Sequence, residues 1–237
     1  MNLILFLLGF FILVKLFQEI LFVWQQNKDK QLLETVTVVN RGEKSERNVI
    51  IKLLKMGIDR RTIFHDCYLR RGSGSYTQID IIVATKAGLI TFEIKDYSGW
   101  IFGDLKQKYW TQMLAYGRKK YRFYNPVMQS NGHILALREN LPHNSLIPIF
   151  SIVVFYGNCK LKNVHISSDN VFIIYPSEIQ NTVNSILYSP NANYGDKREI
   201  MAVLTQAVKN GTVREIISAQ RNNAIQSSVN RPHSTYY

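Results

Sequence analysis

Apolar and polar positions divide the chain into one long apolar run, a region of mixed helical and strand periods, and an aperiodic end. Residues 3–24 read LILFLLGFFILVKLFQEILFVW and are apolar except for Lys15, Gln18 and Glu19. As a helix this run is about 33 Å long, enough to cross a bilayer core. A central charge costs about 2.5–3.5 kcal/mol on insertion scales, but Lys15 and Glu19 stand four residues apart and can pair on one helix face. A signal peptide needs a basic leading region and a small-residue cleavage site, and neither is present. An interfacial helix needs a polar stripe, whereas residues 3–14 are apolar all round. The run therefore predicts a single-pass membrane anchor. Only Met1 and Asn2 precede it while Lys28 and Lys30 follow, which places the C-terminal domain on the cytoplasmic side of the cell membrane.

Gln25 to Gln31 reads as the start of a polar linker. From Ser45 to Met56 the apolar positions Val49, Ile50, Leu53, Leu54 and Met56 have helical spacing, with Ser45 as N-cap and Gly57 as stop. Residues 76–85 and 89–95 alternate or run apolar around Lys86-Ala87-Gly88, a hairpin signal. Residues 106–122 read as a strand or turn ending near Trp110, followed by a helix. Asn125-Pro126 is a breaker. Residues 128–140 form an amphipathic helical pattern, 149–156 a buried strand, 171–175 a short strand, and 177–187 and 196–209 further helices. Residues 219–237 lack periodicity and predict a disordered tail. Strands mixed with helices around a central hairpin predict an α/β or α+β sandwich.

Charge narrows the partners. Lys and Arg number 29 against 17 Asp and Glu, a net +12 with a pI near 9.7. Lys15 and Glu19 cancel, so all of that charge lies outside the apolar run. Such a balance favours nucleic acid or an anionic membrane surface. A 46% hydrophobic content with 6 Pro and 13 Gly excludes a disordered or collagen-like chain. Two cysteines, Cys67 and Cys159, exclude a disulfide-dense scaffold and a Cys-based zinc site. No repeat, Walker A or Rossmann glycine pattern is present, and His65, His133 and His165 show no metal-ligand spacing.

The hairpin carries the informative charges. Asp80 shares a face with Gln78, Ile82 and Ala84 on its first strand; Glu93 and Lys95 share a face with Leu89 and Thr91 on its second. A two-residue loop at Ala87-Gly88 pairs Lys86 with Leu89, setting Asp80 opposite Lys95 and diagonal to Glu93. Direct pairs lie about 4.5–5.5 Å apart at Cβ and diagonal ones about 7–8 Å. A four-residue loop keeps that register, and a three-residue loop turns Asp80 to the other face. One reading is an ion pair on a solvated face. Against it, Ile82, Ala84 and Leu89 imply cover, and a second carboxylate beside the first needs a cation to offset it. Oxygen-rich sites of this kind suit Mg2+ or Mn2+.

An acid followed by Glu-x-Lys on the next strand resembles the PD-(D/E)xK nuclease superfamily. Its surroundings are more specific. Gln78-Ile79-Asp80, Gly88, Phe92-Glu93-Ile94-Lys95, Tyr97-Ser98-Gly99, Trp110, Asn125-Pro126 and Gln129 resemble the nuclease-related domain (NERD) family in order and spacing. Ser45-Glu46-x-x-Val49 resembles its leading Gly-Glu-x-x-Val, and the likeness covers about residues 42–157. Ser45 stands in place of the usual glycine, Ile81 where histidine is common and Asp96 where asparagine is common; none removes a proposed catalytic group.

The resemblance implies a PD-(D/E)xK-like central mixed sheet flanked by helices and preceded by one transmembrane helix. It divides the chain into an anchor (1–24), a linker (25–41), a nuclease-related domain (42–160), a C-terminal α/β extension packed on it (161–218) and a tail (219–237). It further implies a metal-dependent nuclease acting on DNA, with Mg2+ or Mn2+ and no organic cofactor. Asp80, Glu93 and the backbone carbonyl of Ile94 would hold the metal, Lys95 would orient or help deprotonate the attacking water, and Glu46 would reach the site through the metal or a water. Glu46 also reads as a helix-capping acid, Gln78 as a phosphate or water holder or a plain strand residue, and Gln129 as structural or backbone-contacting. Trp110 reads as core. The stretch Lys106, Lys108, Arg118, Lys119, Lys120 and Arg122, interleaved with tyrosines, reads as a phosphodiester track, with a solvated face as its alternative. Two rival classes are a catalytically inactive nucleic-acid-binding module tethered to the membrane, and a structural membrane protein whose charge serves anionic lipid.

Overall fold

A computed structural model describes residues 2–142, 146–165 and 170–229. The long helix α1 (Asn2–Glu34) and α2 (Lys44–Lys55) precede an antiparallel meander of β1 (Ile63–Arg70), β2 (Tyr76–Thr85) and β3 (Gly88–Asp96). Next come β4 (Gly99–Asp104), β5 (Tyr109–Leu114), β6 (Lys119–Tyr124) and α3 (Pro126–Asn140). The chain continues through β7 (Ile149–Tyr156), β8 (Cys159–His165), β9 (Val171–Ile174), α4 (Ile179–Leu187), α5 (Lys197–Asn210) and α6 (Arg214–Val229). The strands form two mixed sheets, β1-β2-β3-β7-β9 and β6-β5-β4-β8. The expected mixed α/β architecture is therefore present, with two sheets in place of one central sheet.

The five-stranded sheet is covered on both faces. Ile81, Val83, Ile90, Phe92, Ile152 and Val154 pack with Leu53 of α2 and Val183 of α4. On the other face Cys67, Ile79, Ile82 and Leu89 pack with Leu137 of α3 and Leu204 of α5. Burial on both faces explains why β7 is apolar at alternate and intervening positions alike, with Ser151 the exception within it. A third cluster joins the sheets through Ile101, Trp110, Phe123 and Phe155. Trp110 is fully buried, stacked on Phe155 with its indole N–H donated to the Asp104 carbonyl at 3.0 Å, which places it in the core as expected.

Four local readings are corrected. The helix α1 runs unbroken through the start of the supposed linker to Glu34. Gln25 donates to Asp29 at 2.7 Å, Lys55 of α2 pairs with Asp29 at 2.7 Å, and Leu33 is 4% exposed in the domain core. Two polar turns of helix carry the same composition as a linker, and only docking on α2 distinguishes them. Residues 109–124 form a β-hairpin rather than a helix, with Trp110 paired to Phe123 and Gln112 to Tyr121. Tyr116 (φ 54) and Gly117 (φ 91) turn the chain there, a conformation no right-handed helix continues through. The third concerns α2, which begins at Lys44 behind Glu43, so Ser45 lies buried in its first turn instead of capping it. Backbone helix also covers 214–229, where the aperiodic end suggested disorder from 219; residues 230–237 of that expected tail lie outside the described residues.

Candidate active site

The β2–β3 hairpin turns at Lys86-Ala87, and Thr85 pairs with Gly88. The Thr85 hydroxyl closes the turn, accepting from the Ala87 N–H at 3.2 Å and donating to the Gly88 carbonyl at 2.9 Å. Gly88 (φ 135) is a strand residue pressed on the Pro148 carbonyl, where a Cβ would overlap it. The two-residue loop thus precedes the one expected, and the register shifts by two. Continued past its last pair, Ile81–Phe92, this register directs Asp80 toward Glu93 and not toward Lys95. Because the loop length stays even, Ile82 and Ala84 keep the face of Leu89 as inferred, up to the break at Asp80.

Asp80 stands where the sheet breaks. The ladder pairs His65 with Ile81 and Cys67 with Ile79, but Asp66 and Asp80 between them form no pair. Asp66 is held at φ 57 inside β1, a left-handed conformation that costs energy for a non-glycine residue. On its other side β2 stops pairing with β3 at Ile81–Phe92, and the Ile94 N–H donates to Asp80 Oδ2 at 2.7 Å. A carboxylate replaces a backbone carbonyl as the partner of β3. The break carries a face change: Ile81 packs toward α2 and Ile79 toward α3.

Glu93 is buried at 3% exposure, with Lys95 Nζ 2.6 Å from Oε1 and His133 Nε2 2.9 Å from Oε2. Lys95 Nζ also donates to Gln129 Oε1 at 3.1 Å. Gln129 and His133 lie four residues apart on α3, about 5–6 Å along one helix face. Lys95 and Glu93 lie two residues apart on β3, about 6.6 Å along one strand face. The two spacings match, so one helix turn seats both side chains on both members of the Glu-x-Lys pair. Gln129 therefore meets the lysine. Glu46 is buried in the first turn of α2, its Oε2 3.0 Å from His65 Nε2.

Burial, then the charges of Glu93 and Glu46, push the Asp80 carboxyl well above the usual range, against the Ile94 N–H and Lys95. Burial presses Glu93 the same way, but Lys95 and His133 outweigh it and hold its carboxyl low. Burial works against the Lys95 ammonium, and Glu93 with Asp80 more than compensates, keeping it protonated to higher pH than an ordinary lysine. The two carboxyls are thus driven in opposite directions: Asp80 upward, first by burial and then by the negative charges beside it, and Glu93 downward by Lys95 and His133.

The chemistry of the donors discriminates between metals. Among the described residues no three His, Cys, Asp or Glu side chains stand together as a metal cage, a poor match for zinc, which takes three or four such ligands. Mg2+ takes one or two carboxylates and keeps several waters. Asp80, Glu93 and the Ile94 carbonyl are all oxygen donors of that kind, and they fit Mg2+ or Mn2+.

The remaining expected residues are placed as follows. Gln78 donates to Asp66 Oδ1 at 2.8 Å, and Arg41 Nε pairs with Asp66 Oδ2 at 2.7 Å, so Gln78 braces the strained residue of β1. Lys106 and Lys108 are exposed in the β4–β5 turn, Arg118 in the β5–β6 turn, and Lys119, Lys120 and Arg122 on the edge strand β6. Tyr121 and Tyr124 are exposed among them, and the Tyr109 ring lies 5.7 Å from Lys108 Nζ and 5.6 Å from the Arg122 guanidinium. Fully buried Asn125 binds this surface to the site helix. Its amide donates to the carbonyls of Asp104, Leu105 and Gln107 at 3.2, 3.2 and 2.8 Å, while its oxygen caps α3 at the Val127 N–H, 2.9 Å away. Sequence reasoning missed His65, His133, Asp66 and Arg41; the spacing of Gln129 and His133 was the one local signal that could have found any of them.

The fold is a mixed α/β domain of two mixed sheets flanked by helices. Residues 41–156 match the nuclease-related domain (NERD) family, and this part of the chain belongs to it. It is also similar to an uncharacterized protein of Bacillus anthracis, 32% identical over 145 residues covering 61% of this chain and 66% of that relative. The chain thus spans just under two thirds of that relative's length. No solved structure matches it significantly. Ahead of the domain, Phe6–Glu34 is long and apolar enough to cross a membrane.

Proposed function

We propose that the protein is a membrane-anchored, metal-dependent nuclease that hydrolyses phosphodiester bonds of DNA. The observation that carries this reading is the meeting of Asp80, Glu93 and Lys95 at the sheet break, in a chain of the nuclease-related family. Asp80, Glu93 and the Ile94 carbonyl would hold Mg2+ or Mn2+. The bound ion would neutralise charge on the phosphate and lower the pKa of a bound water. Lys95, seated on Gln129, would orient the attacking water and stabilise negative charge developing on the phosphate. Glu46 would add negative charge from the α2 side. The basic and tyrosine side chains of the β5–β6 hairpin, with Lys106 and Lys108, would track the backbone of the nucleic acid. The apolar residues 6–24 are uncovered by the rest of the chain, which supports an anchor with the basic domain at a cytoplasmic membrane surface.

One observation favours a second reading. Lys95 already neutralises Glu93, as it would in a catalytically inactive module that only holds nucleic acid at the membrane. An assay of supercoiled and linear DNA with Mg2+, Mn2+ and EDTA separates the two. Cleavage that needs the metal supports the nuclease; salt-sensitive binding without cleavage supports the module.

A further inference from the structure

Two buried histidines repeat one arrangement on two of the carboxylates. His133 presents Nε2 to Glu93 Oε2 at 2.9 Å and Nδ1 to Thr77 Oγ1 at 3.1 Å. His65 presents Nε2 to Glu46 Oε2 at 3.0 Å and Nδ1 to Thr37 Oγ1 at 2.8 Å. An ionised carboxylate only accepts hydrogen bonds, so Nε2–H donates in both. In the neutral ring Nδ1 then accepts from the threonine hydroxyl. Arg71 donates to Thr77 Oγ1 at 3.0 Å, which gives the first chain a single direction: Arg71 to Thr77 to His133 to Glu93. Both ring nitrogens are engaged in each histidine, so neither ring is offered as a ligand.

The consequence is a division of labour between carboxylate oxygens. Glu93 Oε2 is tied to His133, and Oε1 carries the movable Lys95. Glu46 Oε2 is tied to His65, and no hydrogen bond holds Oε1 among the described residues. Asp80 Oδ2 is tied to the Ile94 N–H, and Oδ1 is likewise without a hydrogen bond among them. Asp80 and Glu46 each have one oxygen fixed by the fold and the other without a hydrogen bond among the described residues, whereas the second oxygen of Glu93 is paired with the Lys95 ammonium. Gly42 (φ 66) is packed on the Glu46–His65 bond so closely that a Cβ there would overlap Glu46 Oε2.

We propose that His133, held by Thr77, and His65, held by Thr37, are positioning residues that fix Glu93 and Glu46 in one rotamer and reserve their second oxygens for a divalent cation. This rests on the metal-site reading above. Outer hydrogen-bond partners of metal ligands typically contribute about 10–100-fold to metal affinity. A flexible glutamate gains from being fixed before the cation arrives, because its rotamer entropy is then lost on folding and not on binding.

The test is calorimetric titration of Mn2+ into full-length protein in detergent, for wild type and His133→Ala, His133→Gln, His65→Ala, Thr77→Ala and Thr77→Ser, with circular dichroism to confirm folding. His133→Ala is expected to weaken binding about 10–100-fold, and His133→Gln to restore most of it, since its amide N–H can replace Nε2–H. Thr77→Ala is expected to weaken binding less, with Thr77→Ser restoring it. If His133→Ala does not fold, the Thr77 pair carries the test. Wild-type affinity in both His133→Ala and His65→Ala overturns the inference while leaving the metal site intact. A glutamine no better than alanine overturns the donor role. No heat in wild type removes the metal site itself and this inference with it.

Discussion

Lys95 Nζ rests 2.6 Å from Glu93 Oε1, an ion pair formed within one strand between residues that share a face. The lysine therefore sits on the oxygen that the proposed divalent cation would claim. Gln129 Oε1, 3.1 Å from the same Nζ, gives the ammonium a second partner to lean on once Glu93 is taken.

Lys95→Met removes the charge while keeping the apolar stem. Mn2+ affinity should rise, because a competing cation has left Glu93, and cleavage should fall by about 10²–10⁴-fold with loss of the group that handles the water. Calorimetry paired with a cleavage assay reads both. Weaker Mn2+ binding in the variant would contradict the competition between lysine and metal.

The opposed shifts of Asp80 and Glu93 make their contributions to stability change in opposite directions with pH. Asp80 has its folded pKa raised, so its contribution is complete below the unfolded value of about 3.9 and is lost as pH rises through the folded one. Glu93 has its folded pKa lowered, so its contribution is present above an unfolded value of about 4.3 and is lost as pH falls through the folded one. Metal-free wild type should lose stability relative to Asp80→Asn as pH rises from about 4. Thermal melts of both proteins in EDTA across pH check it. Parallel profiles would mean that Asp80 is not under the charge pressure described.

Neutralising Arg118, Lys119, Lys120 and Arg122 together should weaken nucleic-acid binding without unfolding the hairpin, since Phe123 and Trp110 hold it from the buried side. For every phosphate that these side chains neutralise in the wild type, the slope of log affinity against log salt should flatten by about 0.7–0.9 in the variant. An unchanged slope assigns these charges to a solvated face.

Membrane attachment through residues 6–24 should resist washing with high salt and alkaline carbonate, whereas attachment by the basic surface alone would be released by salt. Because α1 enters the domain core at Leu33, Leu33→Ala should also destabilise the domain, by about 2–5 kcal/mol. Denaturant unfolding of the full chain in detergent measures this. A silent substitution would mean that the helix end is not part of the fold.

Periodicity made most elements legible: the helix after residue 44, the β2–β3 hairpin, α3, β7, α4 and α5 each bury a stripe or face that repeats locally. The order Asp80, Glu93, Lys95, Gln129 was legible too, because residue types carry chemistry wherever they are placed. What the sequence by itself determined was therefore most of the elements, the acids and the lysine, and the apolar run. Tertiary structure decided the rest. Asp80 is directed toward Glu93 instead of Lys95 because Gly88 is claimed by the Pro148 carbonyl, a group 60 residues away in the chain. The 109–124 segment pairs as a hairpin because Trp110 and Phe123 share a buried face against Phe155 of β7. His65 and His133 become partners of Glu46 and Glu93 only after strands and helices from distant segments have packed. Local periods report which face is buried. They carry no record of which remote side chain will face it, and hydrogen bonds to the acids are made with those remote groups.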